Sequence, residues 1–227
     1  MVEKLKLISK QIHWSSVLKA AIFALAWFFL PFWLFLLIAL YLYFFPLSQS
    51  GSVAVPFLVL LFLCLIEPSG ILFTLVFGTI FFYILVIKDL LVIDRKSAYE
   101  ILVFALSFLT LRSFYDRLGG GIGGSSLLYS FLIAIVIAFL VESFWQSKRN
   151  VISWLLFMTI WQLLIAGLFL PVDFVYQAVI IFLALVIPVD LIPQYLSGDF
   201  IPEKIFAVSS AIFAALVIVL ASAHWGL

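Results

Sequence analysis

An all-α, polytopic transmembrane helical bundle is the fold class this sequence predicts, and three observations predict it. Of 227 residues, 67% are hydrophobic and only 10% are charged, where soluble domains run near half apolar and a quarter charged. The mean hydropathy is +1.35. The apolar residues also fall into long runs separated by short polar joints. Such a chain has too few polar side chains to cover its outside in water, whereas in lipid a helix satisfies its own backbone. No hydrophilic stretch is long enough to fold as a soluble module. Residues 17–227 therefore read as a single transmembrane helical domain, preceded by the segment 1–16.

A spanning helix needs about 20 apolar residues, and that ruler divides the chain in order. Residues 1–16 set Lys4, Lys6 and Lys10 among Val2, Leu5, Leu7, Ile8, Ile12 and Trp14. This suits either a short interfacial helix with its lysines at headgroups or a disordered tail. Residues 17–45 follow, interrupted by Pro31 and too rich in Trp and Phe for a signal-peptide core. The expectation is an uncleaved anchor, tilted or kinked at the proline; a hairpin folded at Pro31 is the alternative. The turn-forming stretch 46–52 ends it.

Two shorter runs come next, 53–66 and 71–87, divided by Glu67, Pro68, Ser69 and Gly70. They would rise about 21 and 26 Å as helices, short of the roughly 30 Å hydrocarbon core. We read 53–87 as one discontinuous segment. The remaining segments are 98–111, 127–145, 151–170, 174–192 and 204–225.

The positive-inside rule chooses the topology. If 53–87 makes one net crossing, Lys4, Lys6, Lys10, Lys19, Lys88, Arg95, Lys96, Lys148, Arg149 and Lys204 all lie on the cytoplasmic side. Only Arg112 and Arg117 then lie outside, leaving about seven net crossings with the N-terminus cytoplasmic and the C-terminus outside. If the two runs span separately, six of those bases move outside, so the first arrangement is preferred. The expected location is a cytoplasmic membrane of the prokaryotic kind.

Ionisable groups at membrane depth are functional candidates because they are costly there. Glu67 leads them, since Pro68 and Gly70 force a break beside it. Transporters use broken helices to present backbone groups and half-helix ends to a substrate; a plain surface turn is the alternative. Glu100, Glu142 and Asp190 form a second set, expected in helix ends on the cytoplasmic side. They could line a vestibule or proton path, or simply pair with nearby Lys96, Lys148 and Arg149. Asp190 also stands between Pro188 and Pro193, where a distorted helix end is expected.

Other chemistry finds no support. Cys64 is the only cysteine, so an internal disulfide is impossible, and with His13 and His224 as the only histidines a structural zinc site is excluded. Gly119, Gly121 and Gly124 match G-x-G-x-x-G only formally, because that motif needs a strand before it and a helix after it on a soluble scaffold. A serine–histidine pair from Ser125 or Ser126 with His224 lacks the serine-then-glycine turn of an intramembrane serine protease. Asp116 and Asp199 fall on opposite sides of the membrane and could not share a proton. No H-E-x-x-H occurs. No catalytic, cofactor or metal residue is assigned, and no nucleic acid is expected as a partner.

Interfacial tryptophans fit Trp14, Trp145, Trp154 and Trp225. In the last segment Ala207, Ala211, Ala214, Ala215, Ala221 and Ala223 recur with Ser209, Ser210 and Ser222, letting another helix approach closely. Besides lipid, a protein partner or a second copy docked there is expected. The function expected is that of a membrane-embedded scaffold or subunit of a larger assembly. A small secondary transporter or ion pathway centred on Glu67 is the alternative, and a lipid-modifying enzyme using the small cluster Lys88, Asp89, Asp94, Arg95 and Lys96 a more distant one.

Overall fold

The computed structural model describes residues 2–45, 53–89, 95–118, 124–145, 150–197 and 202–223. Among them are nine helices: α1 (Val2–Phe29), α2 (Phe32–Phe44), α3 (Ala54–Ile66), α4 (Ile71–Lys88), α5 (Arg95–Leu118), α6 (Gly124–Trp145), α7 (Asn150–Leu168), α8 (Phe174–Ser197) and α9 (Pro202–Ser222). The chain divides into two compact units, Met1–Leu106 and Ser107–Leu227. Each is built by helices folding back on their neighbours.

In the first unit the prolines decide where the chain turns. Pro31 has no N–H and would clash with the carbonyl four residues earlier, so α1 ends at Phe29 and Pro31 is extended, φ −62° and ψ 147°. Its own carbonyl then accepts from the amides of Leu34 and Phe35 and starts α2. The chain reverses here. Phe23 meets Phe35 with ring centroids 5.0 Å apart, and the Lys19 ammonium donates to the Phe45 carbonyl at 2.7 Å. Residues 17–45 are thus a helical hairpin and not one kinked anchor. Upstream, α1 runs from Val2 without a break at residue 16.

Glu67 to Gly70 make the second reversal. Pro68 cannot continue α3, Glu67 is extended with its amide bonded to Leu63, and the Gly70 carbonyl takes both the amide and the hydroxyl of Thr74 to begin α4. Phe57 of α3 lies 6.0 Å from Phe81 of α4, ring to ring. The stretch 53–87 is therefore two helices folded against each other, which corrects the single discontinuous span. α1 and α4 form the main interface of this unit. Gly78 lets them close, since a Cβ there would stand 3.0 Å from that of Ala24. Phe23 stacks on Phe81 at 4.1 Å, and Tyr43 stacks on Phe57 at 4.0 Å.

The second unit takes the C-terminal half of α5 with α6 to α9. α6 and α7 are antiparallel, as Phe131 meets Trp161 at 5.7 Å and Glu142 meets Ser153 further along. Tyr115 of α5 donates its hydroxyl to the Leu164 carbonyl of α7 at 3.0 Å. α8 packs on both α7 and α9. Hydroxyls stand inside this unit: Ser107, Thr110 and Ser113 on α5, with Ser126 and Ser130 on α6, are all buried.

Two boundaries differ from the sequence reading. α5 extends well beyond 98–111 and carries Arg112 and Arg117 on its last turns, because their long stems let a helix continue past its apolar core. α8 runs on through Pro188 and Pro193 to Ser197 where a distorted end was expected. Among the described residues three helices are long and apolar enough to cross a membrane: Ile71–Lys88, Ser97–Leu118 and Ser126–Ser143. Six shorter apolar helices accompany them, including Phe32–Phe44 and Ala54–Ile66. By length and composition alone, three helices among the described residues therefore qualify as spans.

Candidate functional site

In the first unit both turns fall at the same end. Each proline leaves a carbonyl without its helical donor, and the carbonyl that Pro68 deprives is that of Cys64, four residues before it. The indole Nε1 of Trp27, near the end of α1, donates to that carbonyl at 3.0 Å, so α1 ends beside the α3–α4 turn. Between the two turns is a cavity of about 190 Å³ lined by Trp27, Leu30, Phe32, Cys64, Leu65, Glu67 and Ser69. Glu67 is half-buried and is the only charged residue in that lining. The large apolar residues at this end, Phe29, Trp33, Leu65, Ile71 and Leu72, are exposed.

At the opposite end of the unit, Lys88 is 1% exposed. It closes α4, and its ammonium donates to the Tyr43 carbonyl at the end of α2 while standing 5.1 Å from the Tyr43 ring centroid. The last carbonyls of a helix lack intrahelical donors, and the lysine supplies one. Tyr99 and Glu100 follow along the chain, both half-buried, in the early turns of α5. Glu67 and Glu100 thus belong to different ends and form no common site.

Glu142 belongs to the second unit, where it accepts from the Ser153 hydroxyl at 2.7 Å. Those two side chains sit in a groove of about 270 Å³ between α6 and α7, otherwise apolar and walled by Phe131, Ile135, Phe139, Trp154 and Phe157. Asp190 lies on α8, and its side chain is outside the described residues. The same holds for the side chains of Arg95, Lys96, Trp145 and Lys204, and for Gly119 to Gly123, Lys148, Arg149, Asp199, His224 and Trp225 altogether. Among the described residues no three His, Cys, Asp or Glu side chains are grouped to hold a metal ion.

Two residues escaped the sequence reading. Lys88 counted as a cytoplasmic base and as a member of the small loop cluster, although a lone lysine ending an apolar run of full helical length hints at an internal partner. Trp27 gave no such hint, because its partner is a backbone carbonyl 37 residues away. Compared with known proteins, the chain matches no family model, no curated protein and no solved structure.

Proposed function

We propose that this chain is an integral membrane protein acting as a membrane-embedded scaffold or subunit of a larger assembly. One observation carries the reading: its polar side chains are used to tie helices together. Lys19, Trp27 and Lys88 donate to the carbonyls of Phe45, Cys64 and Tyr43. In the second unit Tyr115 and Tyr176 donate to those of Leu164 and Ser222. Each of these carbonyls lies in or near the last turn of a helix, where intrahelical donors run out. Polar groups used this way build a firm frame. On α9, Ala207, Ala211, Ala214 and Ala221 share one face at helical spacing and are all exposed, which favours close approach by a partner helix.

In this reading α5 to α9 each cross the membrane once. The pairs α1–α2 and α3–α4 enter as hairpins from the lysine-bearing cytoplasmic side and turn within the hydrocarbon. Helices of 13 residues, as α2 and α3 are, rise only about 20 Å. By length alone α4 could span, and α7 to α9 fall short over their described side chains. The hairpins therefore rest on the contacts of α1 with α2 and of α3 with α4 and on the exposed apolar residues flanking both turns. This arrangement keeps the bases on the sides that the positive-inside rule assigns and replaces seven net crossings by five crossings plus two hairpins.

The test is assembly in mild detergent. The full chain should elute with a stoichiometric partner or as a defined oligomer, and Ala211→Trp should release it without loss of helical circular dichroism. A wild-type chain that is monomeric in detergent and in nanodiscs sinks the scaffold reading. A second reading, a small transporter or ion pathway, is favoured by the cavity between the two turns with Glu67 in its wall. It predicts a flux into proteoliposomes that Glu67→Gln abolishes.

A further inference from the structure

The cavity between the two turns has a composition that selects its ligand by chemistry. Its one charged lining residue is an acid, and no lysine or arginine lines it. Among the described residues the Glu67 carboxylate has no hydrogen-bond or ion-pair partner. Half-buried and without such a partner, the carboxylate is placed to take a counter-charge. The walls include Trp27, Phe32, Leu30 and Leu65. Because the Trp27 N–H is already committed to the Cys64 carbonyl, what its indole offers the cavity is π surface and apolar edge.

An anion is repelled by this arrangement. Calcium or magnesium takes about six oxygen donors and zinc about four ligands, whereas the lining side chains supply one carboxylate, the Ser69 hydroxyl and the Cys64 thiol. A cation with carbon substituents meets both demands, with its charge on Glu67 and its methyl or methylene groups on the aromatic rings, which attract cations. The cavity of about 190 Å³ is smaller than the roughly 300–1,000 Å³ of pockets for drug-sized ligands. It suits a single small head. We propose that this cavity binds an organic ammonium group, either the headgroup of an amine-bearing lipid or a free small amine. The site holds with a scaffold as well as with a pathway, since binding requires no passage.

The experiment uses the full chain in phosphatidylglycerol nanodiscs, with tetramethylammonium as probe and 2,2-dimethylpropanol, a neutral alcohol of similar bulk, as its control. Saturation-transfer NMR should show saturable binding of the cation but not of the alcohol. Glu67→Gln should weaken it by about tenfold or more, Glu67→Asp should retain most of it, and Glu142→Gln should leave it unchanged. Equal binding by Glu67→Gln and wild type, or equal binding of alcohol and cation, overturns the proposal. A second measurement needs no variant. Dicyclohexylcarbodiimide modification of Glu67, followed by mass spectrometry, should be slowed by tetramethylammonium and not by the alcohol; an unchanged rate also overturns it. Repeating the titration in discs containing phosphatidylethanolamine separates the sources. A lipid head as occupant weakens the probe in wild type alone, whereas a free amine as occupant leaves the titration as it was. Loss of assembly or absence of flux would leave these readings untouched, so the site fails or stands by itself.

Discussion

The two units solve one problem with different materials. In the membrane-embedded reading proposed above, both must hold apolar helices together where lipid competes for every apolar contact, so burial of hydrophobic surface gives little drive. The first unit closes with rings: Phe23, Phe81, Tyr43 and Phe57 are buried and stacked in its centre. The second closes with small and hydroxylated residues, bringing Gly167, Ser126, Ser130, Ala134 and Ala178 inside. Its rings divide: Phe114 and Tyr115 are buried beside those small residues, whereas Phe131, Trp154, Phe157 and Trp161 wall or adjoin the α6–α7 groove. Broad rings bridge gaps between short hairpins, whereas small residues demand that backbones come close. Fit is therefore stricter in the second unit.

That contrast is easiest to break at glycine. A Cβ at Gly167 would lie 2.1 Å from the Tyr115 hydroxyl and 2.8 Å from Cγ1 of Ile181. Gly167→Ala should expel the tyrosine from its bond to Leu164 and overpack the site, at a combined cost on the order of 3 kcal/mol. The measurement is the thermal midpoint in detergent, and an unshifted midpoint would show that the second unit is not close-packed. Next in size is Trp27→Phe, which keeps a ring but leaves the Cys64 carbonyl without its donor. We expect a loss of about 2 kcal/mol, accompanied by faster proteolysis at the Glu67–Gly70 turn. Retention of wild-type resistance would mean that the indole does not hold the two turns together.

Gly78→Ala is the counterpart of Gly167→Ala in the first unit, and its Cβ meets Ala24 at a tight but tolerable 3.0 Å. A cost of about 1 kcal/mol is expected. A larger loss than at Gly167 would reverse the comparison. Smallest is Ser153→Ala, which removes one hydrogen bond from Glu142 in a half-open groove, for roughly 0.5–1 kcal/mol. A change in assembly from this substitution would mark the groove as an interface.

Much of the candidate site was legible in the chain. Glu67, Pro68 and Gly70 announce a helix break wherever they stand, because a missing N–H and a missing Cβ act locally. Glu142 at the end of an apolar run similarly announced a carboxylate in the last turn of a helix. What could not be read was company. The set Glu100, Glu142 and Asp190 suggested a shared vestibule; Glu100 falls in the first compact unit and Glu142 in the second, and a local pattern carries no information on whether such residues meet. The groove between α6 and α7 left no mark either, since its wall of alternating large side chains resembles any lipid-facing surface.

By itself the sequence determined that the protein is helical and apolar, and that its chain breaks at Pro31 and Pro68. Those outcomes rest on composition and on the backbone chemistry of single residues. Only the tertiary structure decided which way the chain runs after each break and which donors meet the stranded carbonyls. The bonds from Trp27 to Cys64 and from Lys88 to Tyr43 join residues 37 and 45 positions apart. Such pairs exist because packed helices bring them together, and no local pattern encodes that meeting.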